Sequence, residues 1–322
     1  MSEPTLPAGP VALVFPGQGS QFVGMGGALA AASPAARATM EQADSILDVP
    51  LREMMANGPA ETLEDTLNAQ PAILAVSVAA HRALRERLDE LGLNIQTVAV
   101  AGHSLGEFSA LVVAGVLDYP TALSLVRQRG RLMKEAGTTA PGGMAAVLGL
   151  EDNAIASVCQ EAGATGIVVP ANRNCPGQIV ISGEVDALEQ AMSLAKDAGA
   201  KRVARLGVSI ASHSPLMATA NRAFNRVLDS LQLNDPAMPV IGNVTAKPLT
   251  TASEIDQELR QQMERPVDWT GTIETMSASG IRMFVELGPG AVLSGLIKRI
   301  DRQATTVGLA GLGLGLPDST GK

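Results

Sequence analysis

Short runs of β-branched and aliphatic residues recur along the chain with helix-length segments between them, and this alternation restricts the fold more than any other feature. The runs cover residues 11–15, 97–101, 144–150, 167–170, 178–182, 203–208, 239–243 and 283–287. In the segment 71–91, Ile73, Val76, Ala80, Leu84 and Leu88 fall at a helical period. The pattern predicts an α/β fold with a mainly parallel sheet. From Met144 the rhythm changes to strand, helix (152–162), strand, strand (178–182), helix (184–198), strand (203–208), which is the βαββαβ, or ferredoxin-like, order. Residues 137–143, with Pro141 and three glycines, read as a linker into this unit, and 207–212 as the way out. The expected division is therefore a discontinuous core, residues 1–140 and 208–322, carrying an inserted small domain at 141–207. The glycine-rich stretch after about Gly311 is expected to be loose.

Composition narrows the function. With 46% hydrophobic and 17% charged residues, the 322-residue chain can build a large core. A net charge of −8 and only five Phe, one Trp and one Tyr argue against nucleic acid as a partner. Cys159 and Cys175 form neither a metal-ligand cluster nor a disulfide framework, so a reducing cytoplasm and no metal are expected. The opening MSEPTLPAG has no basic n-region or apolar h-region, so no secretory leader is expected. No apolar run approaches the ~18 residues of a membrane helix, and no membrane partner is expected.

Gly102-His103-Ser104-Leu105-Gly106 follows the apolar run TVAVA and precedes a helical stretch. This is the setting of a GxSxG nucleophile elbow, in which flanking glycines let a strained serine project its hydroxyl above the sheet edge. The helix N-terminus beginning there favours negative charge developing beside Ser104. A serine hydroxyl needs an adjacent base, normally histidine. The chain has only His81, His103 and His213. His103 lies inside the elbow, where its side chain points away from the nucleophile, and His81 reads as a packed or solvated residue of a helix. His213, on a loop after the last strand of the small domain, is the remaining base. Arg129, on a helix over 121–135, shares a face with Ala122, Leu125, Val126 and Met133, whereas Arg127 and Arg131 share another, solvated face. An arginine on the buried side requires an anion, either a core carboxylate in an ion pair or a carboxylate ligand held by two parallel hydrogen bonds. The region 17–24 is glycine-rich after a strand but lacks both phosphate-loop patterns. Cys175 reads as a small buried residue and not as a nucleophile.

With these residues in place, the chain resembles the malonyl-CoA:acyl carrier protein transacylases of fatty acid synthesis and the related acyltransferase domains of polyketide synthases. The resemblance runs from about Val11 to Ile300. It is carried by Phe15-Pro16-Gly17-Gln18-Gly19-Ser20-Gln21, GHSLGE at 102–107, Gln128-Arg129-Gly130, Asn174-Cys175-Pro176-Gly177-Gln178, Ser212-His213, Pro266-Val267-Asp268-Trp269 and Glu286-Leu287-Gly288-Pro289-Gly290. It implies a hydrolase-like α/β core with a ferredoxin-like insert, and a ping-pong reaction in which the acyl group passes from coenzyme A to a serine and then to the phosphopantetheine thiol of acyl carrier protein. It further implies Ser104 as nucleophile, His213 as general base and later acid, and the backbone N–H groups of Gln18 and Leu105 as oxyanion hole. Arg129 would hold the malonyl carboxylate, Gln262 would orient His213 through its main-chain carbonyl, and Asn174 would be a supporting polar residue. Malonyl-CoA and acyl carrier protein are the implied substrates, and no cofactor is implied beyond coenzyme A as thioester. The motif Ile210-Ala211-Ser212-His213 favours malonyl over methylmalonyl, a methyl group being worth only about 1–3 kcal/mol of discrimination in an apolar pocket. Because coenzyme A and the carrier are acidic, docking would need a local basic patch, for which Lys201, Arg202, Arg205, Lys298 and Arg299 are the candidates.

Three other readings compete with a transacylase of fatty acid synthesis. One keeps the chemistry but serves a polyketide pathway in trans or a malonate decarboxylase carrier. A serine esterase would require a catalytic acid between Ser104 and His213, yet Asp118, Asp152, Asp186 and Asp197 all fall in predicted helices or caps. A catalytically silent docking module is disfavoured by the intact Ser104, His213 and Arg129.

Overall fold

The computed structural model describes residues 6, 7 and 9–318. Its strands are β1 (Val11–Phe15), β2 (Thr97–Gly102), β3 (Gly142–Leu148), β4 (Val168–Cys175), β5 (Gln178–Glu184), β6 (Arg202–Arg205), β7 (Val240–Ile241), β8 (Pro248–Leu249), β9 (Val267–Asp268), β10 (Met283–Glu286) and β11 (Thr305–Val307). Among the described residues they form two sheets, so the fold is mixed α/β. The first sheet has the order β11-β10-β1-β2-β7-β8 and is parallel except for the β7–β8 pair. All five residues of β1 are buried, as a strand covered on both faces requires. Their alternation sorts them between two cores. Val11, Leu13 and Phe15 face the long helices Thr66–Leu91 and Tyr119–Thr139, while Ala12 and Val14 face Trp269, Ile273, Phe284 and Leu293.

The second sheet, β6-β3-β5-β4-β9, is antiparallel except where β9 joins β4 in parallel. Four of its strands and the helices Asp152–Ala162 and Val185–Asp197 follow one another in the expected βαββαβ order. Ile179, Ile181, Ala145 and Val147 pack against Ile155, Val158, Leu188 and Ala191 of those helices as a separate core. Asn172 and Arg173 of β4 pair with Val267 and Asp268 of β9, and the Asp268 N–H donates to the Asn243 carbonyl at 2.8 Å, which ties this sheet to the chain just after β7 of the first.

Several expected boundaries shift for identifiable reasons. The helix expected over 71–91 begins at Thr66, where the Asp65 side chain caps the Leu67 N–H. Pro71 therefore lies inside it and cannot bond the Leu67 carbonyl. That carbonyl instead accepts from Arg127 Nη1 at 3.3 Å. Residues 137–143 are not a linker: the helix Tyr119–Thr139 runs through Gly137, and Gly142 and Gly143 belong to β3. A Cβ on Gly142 would stand 2.6 Å from the Gly183 carbonyl, so glycine serves close strand approach there and not flexibility. β6 ends at Arg205 instead of continuing to 208. The stretch after Gly311 is not loose as far as it is described, because Leu312, Leu314 and Leu316 are buried in the first core and Arg87 Nε donates to the Leu314 carbonyl at 2.9 Å. Residues 319–322 lie outside the described chain.

Candidate active site

β2 ends at Gly102, and the helix Gly106–Val113 begins four residues later. A Cβ on Gly102 would sit 1.9 Å from the Gly106 carbonyl carbon, and one on Gly106 would sit 2.0 Å from the Phe15 carbonyl oxygen. Only glycine permits so tight a strand-to-helix turn. At its apex Ser104 has φ +50. Its N–H donates to Asn243 Oδ1 at 2.6 Å, and Asn243 Nδ2 donates to the Gly102 carbonyl at 2.7 Å. Asn243 follows β7, the strand beside β2, and clamps the elbow from the neighbouring strand end.

His213 lies on the irregular segment after β6, also at positive φ (+58), with its N–H bonded to the Met263 carbonyl. Its Nδ1 lies 2.8 Å from the Gln262 carbonyl and 3.1 Å from that of Arg265. Both are acceptors, so Nδ1 carries the proton and Nε2 is free to accept. Ser104 Oγ stands 2.8 Å from Nε2 and donates to it. Burial first, and the Arg129 charge second, push the His213 pKa down to about 3. The imidazole is thus neutral at ordinary pH and able to accept a proton at Nε2.

Arg129 is 1% exposed. Its Nη1 donates to Gln70 Oε1 at 2.9 Å, and its Nη2 donates to Gln262 Oε1 at 2.9 Å and to Ser104 Oγ at 3.2 Å. Phe108 lies under the guanidinium, 5.5 Å from ring centroid to Cζ. Nε is buried without a partner, and among the described residues no carboxylate lies in ion-pair contact with the group, although the Glu107 charge acts on it from a distance. Burial pulls its pKa down to about 10, still well above neutrality.

The remaining expected residues are also gathered here. Among the described residues, neither the Gln18 nor the Leu105 N–H has an acceptor. The Gln18 side chain accepts from the Thr66 hydroxyl, and Thr66 in turn accepts from Gln70, so a polar chain joins Gln18 to Arg129. Asn174 bonds neither Ser104 nor His213; its Oδ1 lies 2.8 Å from Nε2 of His103, whose ring is turned to Asn174 and Trp269. Cys175 is buried. His81 lies on the helix Thr66–Leu91, away from this cluster. Sequence reasoning assigned no role to Gln70, Asn243 or Glu107, or to the Gln262 side chain. The only sequence signal is a lone amide or carboxylate within an otherwise apolar stretch, as for Gln70 in AQPAIL. Glu107 is buried and accepts from the Asn243 N–H and from Gln262 Nε2; burial and the neighbouring Glu258 push its pKa well up.

The acyl transferase domain family matches residues 12–312. The malonyl CoA-acyl carrier protein transacylase of Haemophilus influenzae is 45% identical over 298 residues, covering 92% of this chain and 94% of that protein. The Bacillus subtilis protein of the same name is 43% identical, covering 93% of each. An acyl carrier protein S-malonyltransferase from Vibrio cholerae superposes with a TM-score of 0.88 at 45% identity, covering 94% of this chain and 98% of that one. A malonyl-transacylase solved in complex with a type II PKS acyl-carrier protein superposes with a TM-score of 0.91 at 41% identity, covering 96% and 99%.

Proposed function

The chain belongs to the acyl transferase domain family, and from that membership we propose that Ser104, His213 and Arg129 carry out a ping-pong transfer on a seryl acyl-enzyme. The reaction is transfer of malonyl from coenzyme A to acyl carrier protein in fatty acid synthesis. One observation carries the assignment of parts: a buried guanidinium, touched only by neutral partners, lies 3.2 Å from the nucleophilic oxygen. The charge awaits a carboxylate carried by the substrate. Ser104 Oγ gives its proton to His213 Nε2 and bonds to the thioester carbonyl carbon. The resulting oxyanion is held by the Gln18 and Leu105 N–H groups at the start of the helix Gly106–Val113. The C–S bond breaks, and His213 returns the proton to the leaving thiolate. The phosphopantetheine thiol then reverses these steps. Gln262 holds the Nδ1–H tautomer of His213 through its carbonyl, where an esterase would use a carboxylate. Asn174 supports the elbow through His103.

The architecture proposed for this chemistry is a hydrolase-like core, residues 1–140 and 208–322, with a ferredoxin-like insert at 141–207. Its place of work is the cytoplasm; no helix of the described residues is long and apolar enough to cross a membrane. The steps call for no bound cofactor. For carrier docking, Lys201, Arg202, Lys298 and Arg299 gather at one end of the second sheet. Leu148 pairs with both Arg202 and Gln178, and Arg299 Nη1 donates to Gln178 at 2.6 Å. Arg205 is tied to Glu189 at 3.1 Å and leaves that set.

The test is intact-mass measurement after separate incubation with malonyl-CoA, methylmalonyl-CoA and acetyl-CoA, with and without carrier protein. A malonyl adduct on Ser104 that chases onto the carrier is expected. An adduct absent in Ser104→Ala and present in the wild type fixes the nucleophile, and no adduct from any donor overturns the reading.

A further inference from the structure

Two side-chain amides hold the reacting groups, and their donors and acceptors can each face only one way. Gln262 Oε1 accepts from Arg129 Nη2, so Nε2 is the end that donates, to the Ser104 carbonyl at 3.0 Å and to Glu107 Oε2. The Asn243 backbone N–H donates to Glu107 Oε1 at 3.1 Å, while its side chain spans the Ser104 N–H and the Gly102 carbonyl. Glu107 is 1% exposed in the first turn of the helix Gly106–Val113, and each of its oxygens accepts from a nitrogen that can only donate, so these two bonds favour the carboxylate form against the upward push of burial and Glu258. Its backbone N–H donates to the Ser104 carbonyl at 3.1 Å, but among the described residues its carboxyl group bonds neither Arg129 nor Ser104.

We propose that Glu107 is a positioning residue for substrate selection: by accepting from Gln262 Nε2 it locks that amide with its oxygen toward Arg129, and so holds the guanidinium in the orientation that receives the substrate carboxylate. The inference rests on the roles proposed above for Ser104 and Arg129. An isosteric Glu107→Gln places an NH2 group against one of two obligate donors, and neither can accept it. The local relief is an amide flip of Gln262, which turns its own NH2 group toward the guanidinium and displaces it. Acyl groups without a carboxylate do not use Arg129 and are little affected.

The experiment compares seryl acylation by malonyl-CoA and acetyl-CoA in wild type and Glu107→Gln, with kcat and KM separated. A malonyl-to-acetyl ratio lowered at least tenfold, mostly through the malonyl KM, is expected. A ratio within twofold of wild type, whatever the overall rate, overturns the proposal. In a Gln262→Met background Glu107→Gln should lower the ratio no further, and a further loss there would show that Glu107 does not act through Gln262. If Glu107→Gln does not fold, Glu107→Asp, with its acceptor on a shorter stem, is expected to cost at least threefold in the ratio; an unchanged ratio then overturns the proposal. Failure of the underlying reading looks different, because the wild type itself would form no malonyl adduct on Ser104.

Discussion

Ser104 and His213, which exchange a proton in the proposed reaction, both occupy positive φ, a conformation that costs a residue with a side chain roughly 1–3 kcal/mol. Each is held there by bonds from residues distant in the chain, Asn243 for one and Met263 for the other. The strain aims Oγ and Nε2 at one another before substrate arrives. Arg129→Ala should lower acylation by malonyl-CoA about 10²-fold or more, the loss expected for charge-assisted bonds, while acetyl-CoA acylation changes less than about tenfold. Equal losses with both donors would make the arginine structural. The depressed pKa of His213 gives a pH prediction with a definite sign. A protonated imidazole cannot take the serine proton, so activity disappears on the acid side, and only as pH approaches about 3. The rate of acylation should therefore be flat between about pH 5 and 8. Because Arg129 repels the extra proton, Arg129→Ala should move the acid limb upward, toward ordinary histidine values. Stopped-flow acylation across pH checks both, and a wild-type limb near 6.5 would mean that His213 is solvated.

At the scale of elements, the elbow works because β1, β2 and the helix Gly106–Val113 meet closer than any side chain allows. Gly106→Ala would press a methyl carbon onto the Phe15 carbonyl, and backbone cannot yield as a side-chain tip can. A loss of about 3 kcal/mol of stability, at the upper end for overpacking, is expected together with loss of acylation. Denaturant unfolding measures the first, and a wild-type midpoint would show that the turn can relax. This element was legible in the sequence because glycine spacing, an apolar strand and a helix start all coincide within ten residues. Other elements were less so, since their limits depend on partners far along the chain. The helix Thr66–Leu91 accommodates Pro71 only because Arg127, on another helix, takes the orphaned Leu67 carbonyl. Glycines at 142 and 143 read as a linker because close strand pairing and a flexible joint leave the same mark in sequence.

Across the whole molecule, the order of strands was legible because each strand is a local run, and so was the meeting of Ser104 with His213, because GxSxG and a set of only three histidines leave few choices. The network behind them was not. Asn243 lies 139 residues from Ser104 and Gln262 lies 133 from Arg129, and nothing local marks an amide as the partner of a remote group. Burial of polar groups throughout the fold also shapes its response to acid. His81, half-buried on the helix Thr66–Leu91, has its pKa pushed down to about 4, first by burial and then by Arg85 and Arg82. In the unfolded chain it returns to about 6.5, so between these values the unfolded state binds the extra proton. Its contribution to stability is therefore full above about pH 6.5 and is lost as pH falls toward about 4, amounting to about 3 kcal/mol. Buried Glu107, Glu258 and Glu286, whose pKa values are raised, act with the opposite sign and blunt the total. A His81→Gln variant isolates the histidine share, since it leaves those carboxyls and the reacting groups in place. Its unfolding free energy should fall less than that of wild type between pH 7 and pH 5, by urea titration at each pH. Parallel losses in the two proteins would mean that water reaches the His81 ring and that its proton costs the fold nothing.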